Sequence, residues 1–172
     1  MWRQFQQGRP GRTLSRRRPA VSAGLAVLLL LLAFSACGGP KRIIAPGGNR
    51  QKFSVQVNAA ADANQNTPTP VDLVMVLDKK LVKEVAKLSA KDWFVRRQQF
   101  TRDFPDQLKV VSWEWVPGQQ AGPIAIDIDK KTRSAFLFAQ YSQEGDHRAV
   151  VDLKAPLVIT LSKTDFSLQP LR

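Results

Sequence analysis

From Phe53 onward the chain reads as a series of short alternating runs. Phe53, Val55 and Val57 alternate with Ser54 and Gln56, the period of two that puts apolar side chains on one face of a strand. Val71, Leu73, Met75 and Leu77 share one parity while Val74 and Val76 occupy the other, so this second strand is expected to be buried on both faces. Val111, Trp113 and Trp115 alternate with Ser112 and Glu114, and Ile124, Ile126 and Ile128 with Ala125 and Asp127. Further runs follow at Ala135 to Tyr141, Ala149 to Leu153 and Leu157 to Leu161, with Phe166 to Leu168 as the weakest. Seven or eight short strands predict a mainly β fold, a sandwich or a barrel. Their parities assign Leu73, Met75, Trp113, Trp115, Ile126 and Phe138 to the core.

The period changes once. Leu81, Val82, Val85 and Leu88 fall on one side of a 3.6-residue helix, with Lys80, Lys83, Glu84 and Lys87 opposite. Ser89 and Asp92 are spaced as a capping box with Asp in place of Glu. They open a second helical stretch carrying Trp93, Phe100 and Phe104, which Pro105 stops. A short helical insertion is therefore expected at about residues 79–104, covering apolar surface at a sheet edge or end.

Ahead of the strands lies a different kind of sequence. Residues 1–36 hold six arginines (Arg3, Arg9, Arg12, Arg16, Arg17, Arg18) and no acid, and the 17 residues from Ala20 to Ala36 carry no charge. A basic start, an apolar run and the small residues Ser35 and Ala36 make up an export signal. The run is at the lower edge of what spans a bilayer, so a retained anchor stays open on length alone. Arg16 and Arg17 also raise a twin-Arg signal, but the residues after them fit ordinary export better. Cys37, the only cysteine, stands where a bacterial lipoprotein signal places its acylated residue. The segment Ala33-Phe34-Ser35-Ala36-Cys37 resembles a lipobox, with Phe34 where Leu is usual. Gly38 follows, where an Asp would favour inner-membrane retention. The expected organisation is a lipoprotein signal peptide over 1–36, a lipidated N-terminus and flexible tether over 37–52 with four Gly and two Pro, and a sandwich domain over 53–172.

Charge changes the picture only after this division. The net charge is +12, but half of it belongs to residues 1–36; the other 136 residues carry 20 basic and 14 acidic groups, or +6. Arginines removed with a signal are poor support for nucleic-acid binding, and +6 on the mature chain would steer an acidic partner. At 44% hydrophobic the chain is too apolar for disorder, and one Cys excludes a disulfide framework.

The inventory for catalysis is thin. His147 is the only histidine, and no nucleophile-elbow pattern surrounds a serine. A satisfied surface or loop histidine is the expectation there. Asp127, Asp129 and Thr132 imitate the start of a calcium loop, but Phe138 occupies the twelfth position and no Gly stands at the sixth. No catalytic residue, metal ligand, nucleic acid or small-molecule substrate is expected. Trp113 and Trp115 could form a stacking platform, yet their shared parity favours one core face.

One segment stands out as a candidate site. Ala61 to Pro70, ADANQNTPTP, exceeds the 2 to 5 residues usual in a hairpin loop. Either Asp62, Asn64, Gln65, Asn66, Thr67 and Pro68 form a protein-docking loop, or the segment is a crossover between sheets that simply needs the length.

The order of these features resembles the TssJ (SciN) family, the outer-membrane lipoprotein of the bacterial type VI secretion system. The likeness runs through the signal, the tether, the polar loop leading into Thr69-Pro70-Val71-Asp72-Leu73-Val74-Met75-Val76-Leu77, and the helical insertion. Later segments agree: Pro117-Gly118 after a strand, a strand running to Ala139-Gln140-Tyr141, and His147-Arg148 where the family often has Trp-Arg. Phe34, His147 and Trp113-Glu114-Trp115 depart from the pattern. The resemblance implies a transthyretin-like, two-sheet antiparallel β-sandwich. It would be held to the outer membrane by covalent lipid on Cys37, with no other cofactor, and would face the periplasm. Its implied partner is the periplasmic C-terminal domain of an inner-membrane component of the TssM type, and its suspected contact is the loop between the first two strands. The alternative is a lipid-anchored sandwich that binds a small ligand, for which a deep pocket lined by Trp113 or Trp115 would speak, or one that serves another envelope assembly.

Overall fold

Eight strands and two helices build the domain in the computed structural model, which describes residues 50–171. The expected signal peptide, Cys37 and the tether as far as Asn49 lie outside the described residues. The first strand, β1 (Arg50–Ala59), takes in Arg50, Gln51 and Lys52, assigned from sequence to the tether. They belong to the sheet because their backbone pairs in turn with Asp129, Ile128 and Asp127 of β4, and Lys52 closes an exposed ion pair with Asp127 at 2.7 Å. The order continues with β2 (Thr69–Val76), α1 (Lys79–Val85), α2 (Ala90–Asp103), β3 (Leu108–Trp115), β4 (Gln120–Asp129), β5 (Ser134–Ala139), β6 (Arg148–Val150), β7 (Leu157–Leu161) and β8 (Phe166–Pro170). All of them fall within Ile44–Arg172, which forms a compact unit of its own.

The strands form two four-stranded sheets, ordered β4-β1-β7-β8 and β3-β2-β5-β6. The fold is the expected mainly β, two-sheet sandwich, with one departure from antiparallel pairing: β1 and β7 run parallel. The reason is topological. β6 ends at the end of the sandwich where β1 begins, and the short connection over 151–156 crosses to the other sheet there, so β7 sets out in the same direction as β1.

The period of two reappears as the inter-sheet core. Phe53, Val55 and Val57 of β1 meet Val71, Leu73 and Met75 of β2, together with Ile126, Ile128, Leu137, Ile159 and Leu161. The opposite parity of β2 and β5, namely Val74, Val76, Phe136 and Phe138, forms a second cluster with Leu81, Val85, Leu88, Trp93 and Phe100. The helices therefore cover the outer face of a sheet, not an edge or an end as the sequence suggested. A central strand apolar on both faces leaves a second face that must be shielded from water.

Each helix start is capped, the second of them at Ser89 as its spacing to Asp92 implies. Asp78 accepts from the backbone amides of Lys80 and Leu81 at 2.8 and 2.9 Å, and Ser89 from that of Asp92 at 3.1 Å. Arg148 of β6 donates to the carbonyls of Ala86 and Leu88, neutralising the end of α1. Among the described residues no helix is long and apolar enough to cross a membrane.

Two polar details of the core were not legible beforehand. Asp72, wholly buried on the helix-facing side of β2, accepts from the Trp93 indole N–H at 2.8 Å and from Arg97 at 3.4 Å. Trp113 is only half-buried, whereas Trp115 is 5% exposed. Both share the predicted parity, but β3 is an edge strand, and an inward-facing side chain at a sheet margin is covered from one side only.

Candidate functional site

The segment after β1 is not an open loop. Ala63–Asn66 form one tight turn in which Asn64, Gln65 and Asn66 have φ of 47°, 56° and 65°. Left-handed backbone at a residue with a Cβ costs about 1–2 kcal/mol, and Asn tolerates it better than Gln. Three in succession therefore need external support. Thr69 and Pro70, expected in the loop, already pair with Trp115 and Glu114 as the start of β2.

Asn64 supplies most of that support. Its side chain, expected from sequence to be offered to a partner, is turned inward, and the residue is 2% exposed. The amide donates to the carbonyls of Pro68 and Gln140, both at 3.3 Å, and its oxygen accepts from the Ser142 amide at 2.7 Å. The backbone amide of Asn64 reaches the Ser162 carbonyl at 3.1 Å, and Gly118 donates to the Ala60 carbonyl at 3.0 Å. Asp62, Gln65, Asn66, Thr67 and Pro68 remain exposed, with Gln65 hydrogen-bonded to Gln143 at 3.2 Å. Asn64→Ala should cost about 2–3 kcal/mol, because it removes the bonds while the strained backbone stays. Thermal unfolding and hydrogen exchange at the Ser142 amide would report it; unchanged Ser142 protection would contradict this role.

His147 fastens the neighbouring segments. It is a loop histidine, also left-handed at φ 40°, but it is buried and not on the surface. Its ring stacks on Tyr141 with centroids 4.8 Å apart. Nδ1 lies 3.0 Å from an Asp165 carboxylate oxygen, and Nε2 lies 2.9 Å from the Gln143 carbonyl. Tyr141 donates its hydroxyl to the Asp165 carbonyl at 2.8 Å, and burial holds the phenol well above its ordinary pKa. Both ring nitrogens of His147 are thus engaged by structural partners and not by a nucleophile. This role was invisible in sequence, since Asp165 lies 18 residues away.

Residues 60–68, 116–119, 140–147 and 162–165 are in this way latched into one platform at a single end of the sandwich. Within these segments Asp62, Glu144, Asp146 and Asp165 stand against one lysine, Lys163. The net positive charge of residues 37–172, expected to steer an acidic partner, does not sit here. Trp115 is packed in the inter-sheet core, and its ring is 6.4 Å from that of Trp113. Both lie on the core side of β3, Trp115 buried and Trp113 partly so. Among the described residues, no group of three or more His, Cys, Asp or Glu is placed to hold a metal ion.

Fold and platform together define a class: a β-sandwich with one helix-covered sheet and a hydrogen-bonded polar loop surface at one end. Comparison with solved structures makes this particular. The chain is similar to the type VI secretion lipoprotein TssJ1 from Pseudomonas aeruginosa, at 18% identity and a TM-score of 0.57 over 72% of this chain and 98% of that one. It is similar to Serratia marcescens Lip, a membrane-bound component of the type VI secretion system, at 14% identity and a TM-score of 0.53 over 72% and 97%. A chain of a type VI membrane complex follows, at 13% identity and a TM-score of 0.52 over 70% and 98%. The chain has a TssJ-like fold. No family model and no curated protein matches the sequence.

Proposed function

We propose that this protein is a lipid-anchored adaptor of a type VI secretion membrane complex. Cys37 carries the lipid in the outer membrane and the sandwich faces the periplasm. The loop platform docks the periplasmic C-terminal domain of an inner-membrane component of the TssM type, and the work is mechanical, without turnover. The observation that carries the docking role is the left-handed turn Asn64, Gln65, Asn66, held from below by buried hydrogen bonds. Backbone strain kept at an exposed surface points to preorganisation, which lowers the ordering cost of binding. Three solved type VI components with this fold support the setting.

The test replaces exposed side chains and spares Asn64. An Asp62→Ala, Gln65→Ala, Thr67→Ala variant should keep its unfolding temperature nearly unchanged. It should capture the periplasmic domain of the cognate TssM-type protein at least about tenfold more weakly in a binding titration, or about 1.4 kcal/mol. Unchanged capture by a folded variant would show the segment to be a crossover only. The docking face should then be sought on the basic side of α1, at Lys80, Lys83 and Lys87.

A further inference from the structure

The sandwich is electrically polarised along its strands. At the end opposite the loop platform, β1 begins, β4 ends, β5 begins and β6 ends. Six exposed cations gather there: Arg50 and Lys52 on β1, Lys130, Lys131 and Arg133 in the β4–β5 turn, and Lys154 after β6. Three acids stand in the same segments, and each is occupied. Asp127 pairs with Lys52 at 2.7 Å, while Asp129 and Asp152 accept from the backbone amides of Lys131 and Lys154 at 2.8 and 3.0 Å. Among the described residues Lys130, Lys131, Arg133 and Lys154 make no ion pair. Lys130, Arg133 and Lys154 line an open cleft of about 480 Å³.

The same end receives the chain from Cys37. Residues 38–49 separate that cysteine from Arg50, and they include Lys41 and Arg42 but no acid. Their fully extended reach is at most about 45 Å. A body anchored through Cys37 is thus held by its basic end. Lysines and arginines brought within about a Debye length of anionic headgroups, roughly 8 Å at physiological salt, are drawn to them. The acidic platform at the other end is repelled.

We infer that this basic end rests on the anionic phospholipid surface of the membrane that holds the chain, and so aims the loop platform away from it. The inference rests on the lipid-anchor reading, but it names a second, electrostatic contact. Such a contact orients the domain, whereas acyl chains alone only tether it.

The experiment supplies the anchor chemically, so the two readings fail separately. The chain from Cys37 to Arg172 contains every element of the fold, and its single thiol can be coupled to a maleimide lipid. Vesicles are made of phosphatidylcholine alone or with about 30 mol% phosphatidylglycerol, and amine acylation is read lysine by lysine by mass spectrometry. At about 0.1 M salt, Lys130, Lys131 and Lys154 should be acylated at least about fivefold more slowly on the phosphatidylglycerol vesicles, and about 1 M salt should abolish the difference. Lys163, at the platform end, should react equally on both. A Lys130→Glu, Lys131→Glu, Lys154→Glu variant, whose replaced side chains are all exposed, should lose the protection of Lys52. Equal acylation of these lysines on the two vesicles would overturn the inference, as would equal protection of Lys163. Protection by inorganic phosphate on phosphatidylcholine alone would overturn it too, by assigning the cations to a soluble anion. None of these results bears on whether cells acylate Cys37.

Discussion

Truncating Trp93 to alanine should destabilise the domain by about 3–5 kcal/mol, which for a body of this size lowers the unfolding temperature by roughly 10–20 °C. Trp93 is fully buried, stacks on Phe138 with centroids 5.2 Å apart, and lies against Phe100. Its loss opens a cavity between α2 and the outer face of the β3-β2-β5-β6 sheet. It also removes the 2.8 Å hydrogen bond to Asp72, leaving a wholly buried carboxylate with Arg97 as its remaining partner. A buried carboxylate that loses one of its two side-chain donors adds a desolvation penalty to the cavity. Trp93→Phe separates the two effects, since it keeps most of the stacking and should cost about 1–3 kcal/mol. Trp113→Ala, by contrast, should cost less than truncating a fully buried tryptophan, because a partly buried side chain removes less apolar area from water. Denaturant midpoints of the three variants test the arrangement. A Trp93→Ala protein no less stable than Trp113→Ala would mean that the helices do not pack on the sheet as described.

Replacing Cys37 with serine should release the protein from the membrane or leave it unprocessed, while the sandwich still folds. A single acyl chain binds membranes marginally, and each buried methylene contributes about 0.8 kcal/mol, so several chains on one residue make desorption negligible. Losing them removes essentially all of the anchoring. Folding should be indifferent, because both apolar clusters lie within the described residues. Intact-mass analysis of detergent-extracted wild type should find a chain beginning at Cys37 with added acyl mass, and fractionation should find the folded Cys37→Ser body outside the outer-membrane fraction. A wild-type chain still starting at Met1 would refute the anchor, as would a Cys37→Ser chain that stays in the outer membrane.

The candidate site was legible as a place but not as a geometry. Length and polarity singled out residues 61–70, yet nothing in ADANQNTPTP distinguishes Asn64 from Asn66. The first is buried because Gln140 and Ser142, 76 and 78 residues further along, approach it from another loop. The second stays exposed on the same turn. His147 was expected to be a satisfied loop residue, and it is one; what the sequence could not place was its burial between Tyr141 and Asp165.

Local patterns were readable because they follow from the geometry of a few consecutive residues. Alternation marked the strands, the 3.6 period marked α1, and the Ser89–Asp92 spacing marked the start of α2, since pleat, helical turn and cap each involve groups within four positions of one another. The two-faced apolar pattern of Val71 to Leu77 already required that something cover both sides of that strand. Which side the helices would take, that β7 would run parallel to β1, and that Trp113 would stand at an edge all depend on which strands become neighbours. So does the placement of charge. The sequence determined a sum of +6 over residues 37–172, but only the pairing of β1 with β4 and of β5 with β6 gathers six cations at the end where β1 begins and leaves four acids around the platform. A sum over residues carries no position, and position is what an electric field and a docking surface are made of.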